Sequence, residues 1–237
     1  MSWGKGIIAS LSASVAGLAL MPAAALAGVV VASSGPSAGE YPVGRQIDSG
    51  ERITLRDGDT LTVLENGGTR ILRGPGVQML SSSGSSQSST FANLTRQRSQ
   101  TRARTGAVRG ATVVEISNPN LWYVDVETSG KICLPGPDNV QFWRADTQAD
   151  STYEISADGM ATEISFEAGE MLASWNADNP PAEGTTYQLG APTGAGAVQV
   201  EFVFTGEAPE SPEAAAELFI ANGCTVQLDV MTNAMMG

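Results

Sequence analysis

The sequence predicts an all-β protein: an N-terminal β-meander domain followed by a C-terminal antiparallel β-sandwich-like domain with one short helix. Two observations support this fold class. Short apolar runs alternate with polar residues at period two along most of the chain, which is typical of strands with one buried face. Gly, Asn, Asp and Pro cluster between these runs, where tight turns need them. The length of 237 residues suits one large or two small domains.

The N-terminus has the layout of a secretory signal peptide over residues 1–27. A single positive charge precedes an apolar stretch from Ile7 to Leu20, and small residues stand at Ala25 and Ala27. We therefore expect cleavage after Ala27 and export to a bacterial periplasm. The alternative is an uncleaved anchor in the inner membrane, because apolar residues continue through positions 29–31.

The next segment, residues 28–80, is expected to form the β-meander. It opens with a Ser/Gly/Pro spacer from Ala32 to Gly39. Three alternating runs follow, at Ile53 and Leu55, at Leu61 and Val63, and around Ile71. Asp57-Gly58 and Asn66-Gly67-Gly68 separate these runs. Gly74-Pro75-Gly76 closes the meander with a further turn signal, and a short apolar run from Val77 to Leu80 follows.

This pattern resembles the FecR-like periplasmic β-domain. The residues that carry the resemblance are Ile53–Leu64, with the central Asp-Gly turn, and Arg70–Gly76. The similarity covers a short part of the chain. It implies a domain that lies outside the inner membrane and mediates sensing or protein contacts.

We expect residues 81–110 to form a flexible linker. Their first part is rich in Ser and has too few apolar residues to offset the entropy cost of ordering the chain. Its second part is basic. One interpretation is a solvated tether, with a short helix around Phe91 to Arg104. The other is contact with an anionic surface, such as anionic lipid, lipopolysaccharide phosphates or the acidic half of a neighbouring molecule. The arginines concerned are Arg96, Arg98, Arg102, Arg104 and Arg109.

The segment 111–237 reads as a β-sandwich-like domain, because β-branched and aromatic residues alternate in runs separated by turn signals. The expected strands are Thr112–Ile116, Leu121–Val126, Val140–Arg144, Thr152–Ile155, Thr162–Phe166, Thr186–Leu189 and Val198–Phe204.

One helix is predicted near the C-terminus, from Pro212 to Asn222. Ser211 is a good N-cap, and Gly223 suits the position after the last turn. We expect a final strand over Thr225–Val230, and a frayed terminus beyond it in which Met231, Met235 and Met236 offer Cu(I) ligands as the alternative.

Cys133 and Cys224 are the chain's two cysteines, and an exported protein favours a structural disulfide between them. The alternative is a reactive or metal-binding pair. In the chain-entropy model a bridge closing so long a loop stabilises the fold by roughly 4 kcal/mol.

Composition restricts the chemistry. The chain has no histidine, so Ser-His-Asp and Cys-His nucleophile systems cannot form. Residues 28–109 have a net charge of +4 and residues 110–237 a net charge of −17, and Lys5 accounts for the rest of the total of −12. An acidic half of this size repels phosphate backbones, so we expect no nucleic-acid partner. We also expect no catalytic residues, no cofactor and no metal site.

Trp122, Trp143 and Trp175 fall in or near predicted strands. They are either core anchors or an aromatic platform for sugar rings. The sequence therefore predicts a non-catalytic exported envelope protein that acts through protein or envelope-surface contacts, in a sensing or regulatory role. The alternative is a carbohydrate-binding or carbohydrate-active module that uses the three tryptophans.

Overall fold

A computed structural model describes residues 26–65, 68–80, 88–96, 118–176, 179–190 and 197–236. Strands dominate and helices are few, so the all-β prediction is confirmed. The first elements are β1 (Leu26–Ser34), β2 (Gln46–Asp48), β3 (Arg52–Leu55), β4 (Thr60–Glu65), β5 (Gly68–Arg73), β6 (Gly76–Met79) and α1 (Ser88–Thr95).

The N-terminal strands form two layers and not the expected meander. A four-stranded sheet has the order β2-β1-β4-β5, and β3 pairs with β6 in a separate two-stranded ribbon. All of these pairs are antiparallel. The segment β3–β6 is thus one long hairpin that bends in the middle. Its tip, β4–β5, joins the sheet, and its base, β3–β6, folds over one face to enclose an apolar core.

Two residues explain the bend. The Asp59 carboxylate accepts hydrogen bonds from the backbone amides of Arg56, in the same turn, and Ser37, in the loop after β1. Gly74 lies so close to the backbone of Arg56 that an added Cβ would be 1.8 Å from the Arg56 carbonyl oxygen. A side chain at this position would therefore force the two strands apart at the corner.

β1 takes a central place in this sheet, although the sequence suggested a spacer from Ala32 to Gly39. β1 pairs with β4 in the antiparallel direction as far as Ser34, and the register shifts between Val30 and Ala32. Val30 packs between the sheet and the ribbon, whereas Val31 joins the core of the C-terminal half. The predicted signal peptide ends at Ala27, inside β1, and residues 1–25 lie outside the described residues.

The C-terminal half is a sandwich of a five-stranded and a three-stranded sheet, ordered β11-β10-β13-β14-β8 and β12-β9-β7. Most pairs are antiparallel, but β14 with β8 and β7 with β9 run parallel. Phe142 of the smaller sheet and Phe202 of the larger one lie in the same core. The strands are β7 (Tyr123–Asp125), β8 (Gly130–Leu134), β9 (Gln141–Trp143), β10 (Ser151–Ala157), β11 (Met160–Phe166), β12 (Leu172–Ser174), β13 (Thr186–Gly190) and β14 (Val198–Phe204).

Most strand predictions in this half are confirmed, to within a few residues at their ends. The prediction over Thr112–Ile116 lies outside the described residues, and β12 was not predicted. Within the predicted linker, α1 packs on the C-terminal core through buried Phe91 and Leu94. Residues 88–96 are thus part of the folded body and not a flexible tether.

Two helices end the chain: α2 (Pro212–Asn222) and α3 (Thr225–Ala234). The bounds of α2 are as predicted, because its caps are local: the Ser211 hydroxyl accepts from the Ala214 amide at 3.1 Å, and Gly223 is left-handed with φ 74°. The final strand predicted over Thr225–Val230 is wrong, since this segment is helical.

The helix pair lies between the two halves. α2 contacts β1 and β4, and α3 contacts β8. The Thr69 amide of β5 donates to the Met235 carbonyl at 3.1 Å. Met231 and Met235 are fully buried, so these thioethers are core residues and not a frayed terminus. Among the described residues, no helix combines the length and apolarity that crossing a bilayer requires.

Candidate functional site

The three tryptophans proposed as a sugar platform are buried. Trp122 packs edge-on against Phe219, with ring centroids 6.1 Å apart. Trp175 stacks on Phe142 with the ring centroids 5.8 Å apart. Trp143 belongs to a small buried cluster with Tyr123 and Leu172 of the three-stranded sheet. This matches the core alternative stated from the sequence. None of the three rings offers an open face for stacking.

Of the linker arginines, only Arg96 lies within the described residues, at the exposed end of α1. Arg98, Arg102, Arg104 and Arg109 lie outside them. Arg96 has no ion pair with any described residue. The anionic-contact hypothesis therefore stays a prediction, with one of its residues placed on the surface.

Arg144 is a buried cation with a structural role, and it forms no salt bridge with a described residue. Its guanidinium donates to the carbonyls of Ala149, Glu167 and Glu170 at 2.7–2.9 Å and to the Ser151 hydroxyl at 2.7 Å. Four acceptors of this kind satisfy a buried charge without a carboxylate partner.

Cys133 and Cys224 form the predicted disulfide, with an S–S distance of 1.99 Å. Both are fully buried. The bridge ties the start of α3 to β8. Gln227, one turn further along α3, accepts from the Cys133 amide and donates to the Cys133 carbonyl, both at 2.7 Å. The Gln227 side chain thereby closes the edge of β8 as a neighbouring strand would.

Three carboxyl groups among the described residues have shifted pKa values, each with a structural cause. Burial acts to raise the pKa of Asp59, but the amide hydrogen bonds from Ser37 and Arg56 outweigh it, and the pKa lies below its ordinary value. Burial raises the pKa of Glu65, and the Arg70 guanidinium at 3.6 Å offsets this only in part. Burial likewise raises the pKa of Asp125.

A cleft of about 460 Å³ opens beside α1 and the loops after β8 and β14. Thr95, Leu134, Asp138 and Asn139 line it, together with the edge of Trp122. In the part of the chain that the structure describes, no three potential metal ligands of the His, Cys, Asp or Glu type converge. The cleft thus offers one carboxylate and one amide, with little of the tryptophan ring available for stacking.

The most unusual surface is the outer edge and face of β6, which we call the β6 edge and define as residues 76–79. Val77 is 63% exposed and Met79 is 58% exposed. Arg52 and Thr54 of β3 stand directly opposite Met79 and Val77 in the register, and both are exposed. Among the described residues, β6 pairs only with β3, and no described strand pairs with its other side.

Parts of some other edges are covered or charged, although β11 also exposes Met160, at 63%. The Gln227 side chain occupies the edge of β8, and the Met235 carbonyl accepts from β5. β11 carries Glu163 on its exposed face. Proteins usually blunt exposed edges with charged residues, Pro or covering elements, and β6 has none of these within its four residues.

Comparison of the chain with family models, with curated proteins and with solved structures gives no match. The FecR-like resemblance of the N-terminal half accordingly stays a prediction. The sequence did show an apolar run from Val77 to Leu80, but its alternation did not reveal which face would be left uncovered.

Proposed function

We propose that this chain is a non-catalytic exported envelope protein that acts by contact, with the β6 edge pairing with an extended segment of a partner protein. The observation that carries the proposal is the open backbone edge next to the exposed Val77 and Met79 side chains. Addition of a strand to such an edge satisfies the free amides and carbonyls, and side-chain contacts provide specificity.

The chemistry of the edge defines the partner segment. A strand added to β6 places alternate side chains beside Val77 and Met79, so apolar residues are favoured at those positions. Arg52 lies one strand further in and has no ion pair with a described residue, so an acidic residue near the end of the segment is favoured as well. The FecR-like resemblance, which implies protein contacts outside the inner membrane, agrees with this proposal.

Site-specific photocrosslinking in the exporting cell tests the proposal. A photoreactive residue at position 79 is expected to give an adduct of one defined mass, and the mass also reveals whether the partner is a second copy of this chain. The matched control is position 188 of β13, which is exposed but lies within a sheet and not at its edge.

A pair of lysine variants tests whether the adduct depends on the β6 edge itself or on any exposed apolar residue. Val77→Lys places a charge on the edge and is expected to abolish the adduct at position 79. Val43→Lys, at a position that is 46% exposed and outside β6, is expected to leave the adduct intact. Equal crosslinking at positions 79 and 188, or an adduct that survives Val77→Lys, contradicts the proposal.

A further inference from the structure

The end of α1 is fixed against the segment that leads into β7. The Asn120 side-chain amide donates to the Arg96 carbonyl at 2.8 Å, and the Leu121 amide donates to the Leu94 carbonyl at 2.9 Å. A pocket of about 150 Å³ opens between this junction and the start of β12. Its mouth is therefore held by one side-chain and one backbone hydrogen bond.

The inner surface of the pocket is apolar. Pro119, Tyr123, Met171 and Leu172 contribute to it. Tyr123 and Leu172 also belong to a buried cluster with Trp143, which gives the pocket a packed floor. A surface of this kind binds an apolar group by removing it from water.

The rim supplies one charge. Arg96 is the one charged residue among the described residues of the lining, and it has no ion pair with any of the described residues. Asn120 is already committed to the protein, because its side-chain oxygen accepts from the Trp122 amide at 2.9 Å and its nitrogen donates to Arg96. The Arg96 guanidinium supplies a positive charge at the mouth, and its planar donors match a carboxylate.

We propose that this pocket is a binding site for small monocarboxylates with an apolar tail. The tail lies on the Tyr123–Leu172 floor, and the carboxylate pairs with Arg96 at the mouth. An apolar cavity of about 150 Å³ can hold a group of roughly the size of benzene, so a tail of about five carbons fits. This site is separate from the β6 edge, and the inference does not depend on the proposed contact function.

Methyl NMR on the full, oxidised chain labelled at methionine methyl groups tests the site directly, because Met171 lines the pocket. The probe is 4-methylpentanoate, and its matched control is 4-methylpentanamide, which has the same tail and no charge. We expect a saturable shift of the Met171 resonance with the acid. We expect about fivefold weaker binding of the amide, as an exposed ion pair of up to about 1 kcal/mol predicts.

Two arginine variants complete the test. Arg96→Gln is expected to weaken binding of the acid about fivefold and to leave binding of the amide unchanged. Arg73→Gln removes an exposed arginine of β5 that does not line the pocket, and it is expected to change neither. Equal binding of acid and amide, equal binding by Arg96→Gln, or no saturable shift at Met171 overturns the proposal.

Discussion

Replacement of Gln227 by methionine is expected to be strongly destabilising, because this side chain closes the edge of β8 from within the protein. Its carboxamide makes three buried hydrogen bonds, to the Cys133 amide at 2.7 Å, the Cys133 carbonyl at 2.7 Å and the Leu121 carbonyl at 2.6 Å. Methionine keeps the length and much of the volume of the side chain but leaves these three backbone groups without partners. At about 1 kcal/mol for each bond, the expected loss in the free energy of unfolding is about 3 kcal/mol.

Urea denaturation of the oxidised chain measures this loss as a fall in the transition midpoint at an unchanged slope. The control is Gln188→Met, an exposed position in β13, where the change is expected to stay within about 0.5 kcal/mol. A loss below about 1 kcal/mol at Gln227, or one equal to that of the control, would refute the view that this amide replaces a strand at the edge of β8.

Three further predictions concern the disulfide and two carboxyl groups. Replacing Cys133 and Cys224 together by alanine frees a loop with a sequence separation of 91 and is expected to lower the free energy of unfolding by roughly 4–5 kcal/mol, measured by thermal or urea unfolding. Asp59→Asn is expected to lower the melting temperature at pH 7. Because the folded pKa of Asp59 lies below its unfolded value, this difference should shrink as the pH falls below about 4. Glu65→Gln is expected to raise the melting temperature at pH 7 and not at pH 3, since burial raises the folded pKa of Glu65 and the charged form costs stability above it.

Each of the three has a contradicting result. A double alanine variant as stable as the oxidised chain would show that the bridge adds nothing to stability. If Asp59→Asn lowers the melting temperature by as much at pH 2 as at pH 7, the effect comes from the changed side-chain shape and not from the charge. A melting temperature for Glu65→Gln that falls at pH 7 would show that the ion pair with Arg70 outweighs burial.

The sequence predicted α2 to the residue because its signals are local. Ser211, Pro212 and Gly223 act within one turn of the helix ends, and no distant contact is needed to place them. The helix α3 was missed because Thr225 and Val226 favour strands when read alone. The informative signal was the spacing of Leu228, Met231 and Met235, which repeats at helical intervals and matches the buried face.

Of the N-terminal strands, β3, β4 and β5 were found from their period, but the pairing of these strands was not. Pairing of β3 with β6 follows from the corner at Asp59 and Gly74. Asp59 contacts Ser37, 22 positions away, and Gly74 contacts Arg56, about 18 positions away. Such contacts leave no periodic signal. The same reason hid the candidate site, because alternation at Val77 and Met79 indicates a strand without showing which face the rest of the protein covers.

Amide hydrogen exchange at residues 76–79 tests the contact function most directly. In the purified chain, the amides of β6 that point away from β3 are expected to exchange rapidly, while those bonded to β3 are protected. In the complex isolated through the adduct at position 79, the outward amides are expected to become protected as well. Outward amides that are already protected in the free chain, or that exchange equally fast in the complex, would contradict strand addition at the β6 edge.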